Sequence, residues 1–167
     1  MSNKAILIIG VLLVLLTIGF ASFLFRPGSD TVEMPKQIDP MAEPTSIVMY
    51  KNEGCECCTK WAAHMEAEGF SVKEVAVPNL NDIKQENGIS YNLSSCHTAK
   101  VGGYIVEGHV PVADVQRLLE EQPEAIGLTV PGMPIGSPGM EVPGREADHY
   151  DVLLIHKDGS TSVYSSY

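Results

Sequence analysis

The polar and apolar positions of this chain change period several times after residue 45. Ser46-Ile-Val-Met-Tyr50 is a short run rich in β-branched and aromatic residues and predicts a strand. From Cys58 onward, Trp61, Ala62, Met65 and then Phe70 fall near helical spacing, with Thr59, Lys60, His64 and Glu68 off that face. Gly69 is placed to close that helix as a C′ glycine. Ser71 to Val77 alternates polar and apolar, as a second strand does, and Asn79 to Asn87 reads as a short polar helix ended by Gly88. His97–Val101 and Tyr104–Val110 predict a hairpin across Gly102-Gly103. Val112 to Glu121 carries Val112, Val115, Leu118 and Leu119 on one helical stripe. A Pro/Gly-rich loop, VPGMPIGSPGMEVPG, follows, and the chain closes with a hairpin turning at Asp158-Gly159.

The predicted order is strand, helix, strand, helix, hairpin, helix, hairpin. A strand–helix–strand start with cysteines at the first junction, then an antiparallel hairpin and a helix, is the thioredoxin-like layout. The fold class expected is therefore an α/β sandwich with a mixed sheet. By analogy with that fold, the residues entering the third strand lie beside the first helix's N-terminus. Cys96 would then meet the cysteines of residues 55–58.

Ahead of this domain stands AILIIGVLLVLLTIGFASFLF, residues 5–25, without charge or proline. As a helix it would measure roughly 30 Å, enough to cross the hydrocarbon core. A cleaved signal peptide is the alternative, with Gly19-Phe20-Ala21 as a weak small-x-small site. The length of the run favours a retained transmembrane anchor, and in either case the rest of the chain is exported. Residues 26–45 lack periodicity, carry four prolines and read as a flexible tether. Three segments are thus expected: an anchor or signal sequence at 1–25, a linker at 26–45 and one domain at 46–167.

Charge removes some partners from consideration. The chain has 11 basic and 21 acidic side chains, a formal net charge of −10. Such acidity argues against nucleic acid or anionic lipid as a partner, and reads first as a solvated surface.

The chemistry is concentrated in GCECCTKW, residues 54–61. Cys55 and Cys58 have the C-x-x-C spacing of a thiol–disulfide couple, yet Cys57 lies between them and Cys96 is the only other cysteine. Cys57 and Cys58 fall in the first helical turn, where free N–H groups favour a thiolate. Structural disulfides fit poorly, because three cysteines in four residues staple little chain. A dithiol enzyme would be burdened by Cys57, and SSCHT stands where thioredoxins usually present a cis-proline. A mononuclear zinc site usually draws on two separated knuckles, and iron–sulfur clusters prefer wider spacings. Soft thiolates favour Cu(I) at low coordination number and can bridge, so a polynuclear Cu(I)–thiolate cluster best explains the crowding. Met133 and Met140, in the Pro/Gly loop, either reach copper or cap the loop onto the core. His97, next to Cys96, is a candidate ligand or tuning group, and His64 a candidate for the surroundings of the site. His109 and His156 read as structural, His149 as uninformative, and Trp61 as packing beneath the motif.

Four segments in order, YKNEGCECCTKWAAHMEAEGF, SCHTAKVGGYIVEGHVP, GLTVPGMPIGSPGME and YDVLLIHKDGSTSVY, resemble the bacterial CopG-like copper-resistance family across Ile47 to Tyr167. That resemblance implies a thioredoxin-like, periplasmic copper-handling protein. It also implies copper held in a thiolate-bridged cluster by Cys55, Cys57, Cys58 and Cys96. His64, His97, Met133 and Met140 match the family pattern as well. Expected, then, is a periplasmic copper-binding protein of copper resistance and homeostasis, possessing redox cycling if the Cys55/Cys58 couple is active. It would be anchored through residues 5–25 in the inner membrane with its domain in the periplasm, or soluble there if cleaved. Its partners would be copper ions and other periplasmic copper-export or copper-carrier proteins. The alternative is a thioredoxin-like thiol–disulfide oxidoreductase, and a metal-binding role is expected ahead of an enzymatic one.

Overall fold

The computed structural model describes residues 44–167. The apolar run at 5–25 and the tether up to residue 43 lie outside the described residues. Among the described residues no helix is long and apolar enough to cross a membrane.

The described chain is mixed α/β, built on one seven-stranded sheet. Strand β1 (Ser46–Lys51) leads into helix α1 (Glu56–Ala67) and strand β2 (Ser71–Ala76). Helix α2 (Leu80–Glu86) and a 3-10 turn (Tyr91–Leu93) precede the hairpin of β3 (His97–Val101) and β4 (Tyr104–Glu107). Helix α3 (Val112–Glu121), β5 (Ala125–Thr129) and the hairpin of β6 (Asp151–His156) and β7 (Thr161–Ser166) complete it. The sheet order is β2-β1-β3-β4-β5-β6-β7. The β1–β2 and β4–β5 pairs are parallel and the other four antiparallel.

Local sequence explains most boundaries. In α1, Cys58, Trp61, Ala62 and Met65 are buried, one stripe at helical spacing. Gly69, at φ +89, supplies the left-handed residue that stops the helix. Successive strand residues point to opposite faces, so two cores form. On one face Trp61 and Met65 of α1 and Val115 and Leu118 of α3 pack with Ile47, Met49, Ala99 and Val106. On the other, Ile105 and Ile155 pack with Ile89 and Leu93.

Two features depart from the sequence expectation. Strand β5 was not anticipated, because its run, AIGLT, is too short to separate strand from loop by periodicity. Its register needs glycine: a Cβ on Gly127 would sit 1.7 Å from the Ile105 carbonyl oxygen. Strand β4, expected to reach Val110, ends at Glu107. Gly108 adopts φ +73, and a Cβ there would meet Ser95 at 2.4 Å and the Val130 carbonyl at 2.8 Å. The chain turns at that glycine, and the turn redirects His109.

Candidate metal centre

Cys55 occupies the N-cap of α1 without making a side-chain cap bond, which leaves its sulfur free for other partners. Cys57 and Cys58 follow in the first turn. Cys96 arrives immediately before β3, whose pairing with β1 sets Lys51 opposite His97. The sheet thus closes a sequence gap of 38 residues, and the Cys58 and Cys96 sulfurs lie 3.5 Å apart. The Cys57 sulfur is 3.5 Å from that of Cys55 and 3.8 Å from that of Cys96. All four sulfurs lie within 4.8 Å of one another. Cys55 and Cys58 are joined as a disulfide, and Cys57 and Cys96 are free thiols. Cys58 is fully buried, the other three half-buried.

Two histidines extend this group. The Cys96 sulfur lies 3.4 Å from His97 Nδ1 and 2.9 Å from His109 Nε2. These three side chains form a second cluster of potential ligands within 4.8 Å, sharing Cys96 with the first. His109 Nδ1 is 2.8 Å from the Pro138 carbonyl. A carbonyl only accepts, so Nδ1 carries the proton and Nε2 presents a lone pair to Cys96. His97 is buried, 4.5 Å from the Trp61 ring, and among the described residues its Nε2 has no hydrogen-bond partner. The Trp61 indole N–H donates to the Val110 carbonyl at 2.9 Å and so grips the residue after His109.

The electrostatics favour neutral groups before any metal arrives. Burial, reinforced by the neighbouring Cys57, pushes the Cys96 thiol up to about 12. Its S–H therefore persists at neutral pH and has His109 Nε2 as acceptor. Burial also depresses both imidazoles, His97 well below the ordinary value, where the charges of His109, Lys84 and Lys51 add to it. For His109 the Pro138 carbonyl and Glu141 partly oppose the burial effect. Neutral imidazoles and thiols that lose a proton to a soft cation are what a thiophilic metal requires.

The Pro/Gly loop forms one wall. A Cβ on Gly139 would lie 2.7 Å from the Cys57 carbonyl and 2.8 Å from the Trp61 nitrogen, so only glycine lets the loop sit on the first turn of α1. The Gly132 N–H donates to the Ser94 carbonyl at 3.0 Å, and the Ser95 hydroxyl donates back to the Gly132 carbonyl. Met133 and Met140 follow these two glycines, the first 52% exposed and the second half-buried. Their neighbours, not their thioethers, make the backbone contacts described. His64 lies outside both ligand clusters. It pairs with Glu141 at 2.8 Å, and Glu141 in turn accepts from the Gly139 N–H, so His64 secures the loop. His156 bonds Ser162 across the terminal hairpin at 2.9 Å. His109, read as structural from the sequence, is found against Cys96. The available signal was Gly108: a glycine inside a strand pattern marks a turn that re-aims its neighbour.

On the far face of β3, Glu107 accepts from the Ser95 N–H at 2.6 Å and from the Thr98 hydroxyl at 2.7 Å. It is paired with buried Lys84, whose ammonium also donates to the Thr98 hydroxyl at 3.2 Å. This network fixes the backbone directly before Cys96.

Known proteins resemble the chain at these elements. Residues 93–140 match a family described as a protein of unknown function, DUF411. No match is found among curated proteins. Two solved structures, described as copper resistance protein CopG in forms 2 and 1, are each 41% identical and cover 75% of this chain. The match spans 99% and 98% of those chains, with TM-scores of 0.71 and 0.70. With that identity over nearly the whole of both relatives, and with four cysteines converging in space, the chain belongs to the CopG copper-resistance family.

Proposed function

We propose that this protein binds Cu(I) at Cys55, Cys57, Cys58 and Cys96 in a polynuclear thiolate site on a thioredoxin-like frame. Its role is copper resistance and homeostasis in the periplasm. There it is tethered through residues 5–25, or is soluble after their removal. The convergence of four sulfurs within 4.8 Å carries this reading. Adjacent Cys57 and Cys58 cannot both close easily on one ion, whereas thiolates that bridge two ions use such crowding. The kinship with copper resistance proteins supports the choice of metal.

The Cys55–Cys58 disulfide adds a redox element to the proposal. Its reduction takes two electrons and two protons and yields two thiols. Metal then displaces their two protons and those of the Cys57 and Cys96 thiols, giving four thiolates. Re-forming the bond passes two electrons to an external oxidant, such as a partner protein's disulfide, withdraws two ligands and releases or remodels the cluster. Copper-export and copper-carrier proteins of the periplasm are the partners this cycle would serve.

The test is copper per chain, measured on reduced protein loaded anaerobically with Cu(I), with free thiols counted in parallel. More than one copper per chain, with all four thiols protected, is the expected result. Cys57→Ser should lower the stoichiometry. The same disulfide supports a second reading, a thioredoxin-like oxidoreductase. One metal or none, with only Cys55 and Cys58 titrating and Cys57→Ser without effect, would establish that reading instead.

A further inference from the structure

With Cys55 at the N-cap and no side-chain cap bond, α1 gives up the hydroxyl or carboxylate that ordinarily holds a helix's first turn. In the oxidised protein the bond to Cys58 closes that turn covalently. Reduction removes that tie. Cys58 stays fixed, because its side chain is buried in the core, but Cys55 is only half-buried at the free end of the helix. We propose that Lys51 and Thr59 are positioning residues that hold the Cys55 end of α1 in place when the disulfide opens. Its thiol then stays near that of Cys58, ready to re-close the bond or to receive copper. This rests on the redox element of the copper reading and names the residues that support it.

The tie runs from the sheet to the turn. Lys51 ends β1, which pairs with β2 on one side and β3 on the other, so its backbone is held on both sides. Its ammonium donates to the Cys55 carbonyl at 3.4 Å and to the Thr59 hydroxyl at 2.5 Å. Glu74 of β2 fixes both partners, through an ion pair with Lys51 and by accepting from the Thr59 hydroxyl at 3.0 Å. Thr59 follows Cys58 directly, and its N–H donates to the Cys55 carbonyl at 3.3 Å. The turn is thus gripped at Cys55 and again just beyond Cys58. None of the three side chains belongs to either cluster of potential ligands.

The step they would govern is thiol–disulfide exchange, with glutathione as the probe. The Cys55–Cys58 bond breaks, two glutathione thiols supply two electrons and two protons, and one glutathione disulfide forms. Two thiols close a disulfide in proportion to their effective concentration, which falls when one of them is free to wander. Without the tie the reduced turn frays, and the couple becomes easier to reduce. Copper, which must order the same turn, binds less tightly.

The test titrates the metal-free full chain in glutathione buffers, with the Cys55–Cys58 bond mapped by mass spectrometry after alkylation. Lys51→Met and Thr59→Val should each lower the disulfide-forming equilibrium at least about threefold, which raises the midpoint potential by roughly 14 mV. Each should also weaken Cu(I) by about the same factor in competition with a chelator. Thr59→Ser keeps the hydroxyl and should stay at the wild-type potential. An unmoved potential in Thr59→Val overturns the proposal, because a contact that only stabilises the fold acts equally on both redox states. A downward shift in Lys51→Met overturns it as well, and gives Lys51 a charge effect on the thiolates instead. Thr59 is exposed, so Thr59→Val decides the matter if Lys51→Met fails to fold. Wild type whose Cys55–Cys58 bond does not form reversibly overturns both the proposal and the redox reading beneath it.

Discussion

Strand β3 separates two polar clusters that differ in one respect. On one face, Lys84, Thr98, Glu107 and the Ser95 N–H form a closed set in which donors meet acceptors. On the other, Cys96, His97 and His109 stand against the sulfurs of α1, and His97 Nε2 has no hydrogen-bond partner among the described residues. His97 and His109 on one face and Lys84, Thr98 and Glu107 on the other are buried, and His97 and Thr98 are consecutive residues. A buried polar group without a partner costs free energy, so folding alone gives no reason to retain one. The closed cluster supports the strand; the open one groups three side chains that could hold a metal ion.

The largest test of this contrast is Glu107→Leu. It strands the Lys84 ammonium in the interior and should cost about 3–5 kcal/mol, read as the urea midpoint of the metal-free protein. Lys84→Met added to it should recover most of that loss. A loss under about 1 kcal/mol would mean the cluster is not closed in solution.

His97→Phe probes the opposite face. It removes an imidazole whose Nε2 is unpaired and keeps a ring for the Trp61 contact. Stability should stay within about 1 kcal/mol of wild type or rise. A loss comparable to that of Glu107→Leu would show that the two faces are held alike.

The smallest effect belongs to a third pair at the mouth of the site. Lys51 bonds Glu74 and reaches the Thr59 hydroxyl at 2.5 Å, with the Glu74 side chain 32% exposed. The Lys51 ammonium holds the Glu74 carboxyl below its ordinary 4.5. Its folded value lies below its unfolded one, so the contribution is complete above pH 4.5 and fades as pH falls through the folded value. Solvent screening limits it to within about 1 kcal/mol. Glu74→Gln should remove that part of the acid limb and lower stability at pH 7 by no more than about 1 kcal/mol. A loss at pH 7 as large as that at Glu107 would erase the distinction between exposed and buried pairs.

Much of this was legible along the chain. The α1 stripe, its Gly69 terminator, the bounds of α3 and the Asp158-Gly159 hairpin follow from local periodicity and turn chemistry. So does the identity of the four sulfurs, since three crowd into one helical turn and only one cysteine remains. Strand β5 was not legible, because five residues of AIGLT carry no period. The surroundings of His64 and His109 were not legible for a related reason. The one sits on the helix of the cysteines yet turns to Glu141 in the loop. The other looks like the end of a strand until Gly108 turns it inward.

The sequence by itself determined most of the elements, though not β5, and which atoms are soft enough to hold copper, because periodicity and side-chain chemistry are local properties. Only the tertiary structure decided which donors meet. Cys96 is brought to the α1 cysteines by the β1–β3 pairing, to His109 by the β3–β4 pairing, and His109 meets the Pro138 carbonyl through the loop seated on α1. Distances between residues so separated follow from strand register and from one glycine's backbone angle. Neither leaves a periodic mark in the sequence.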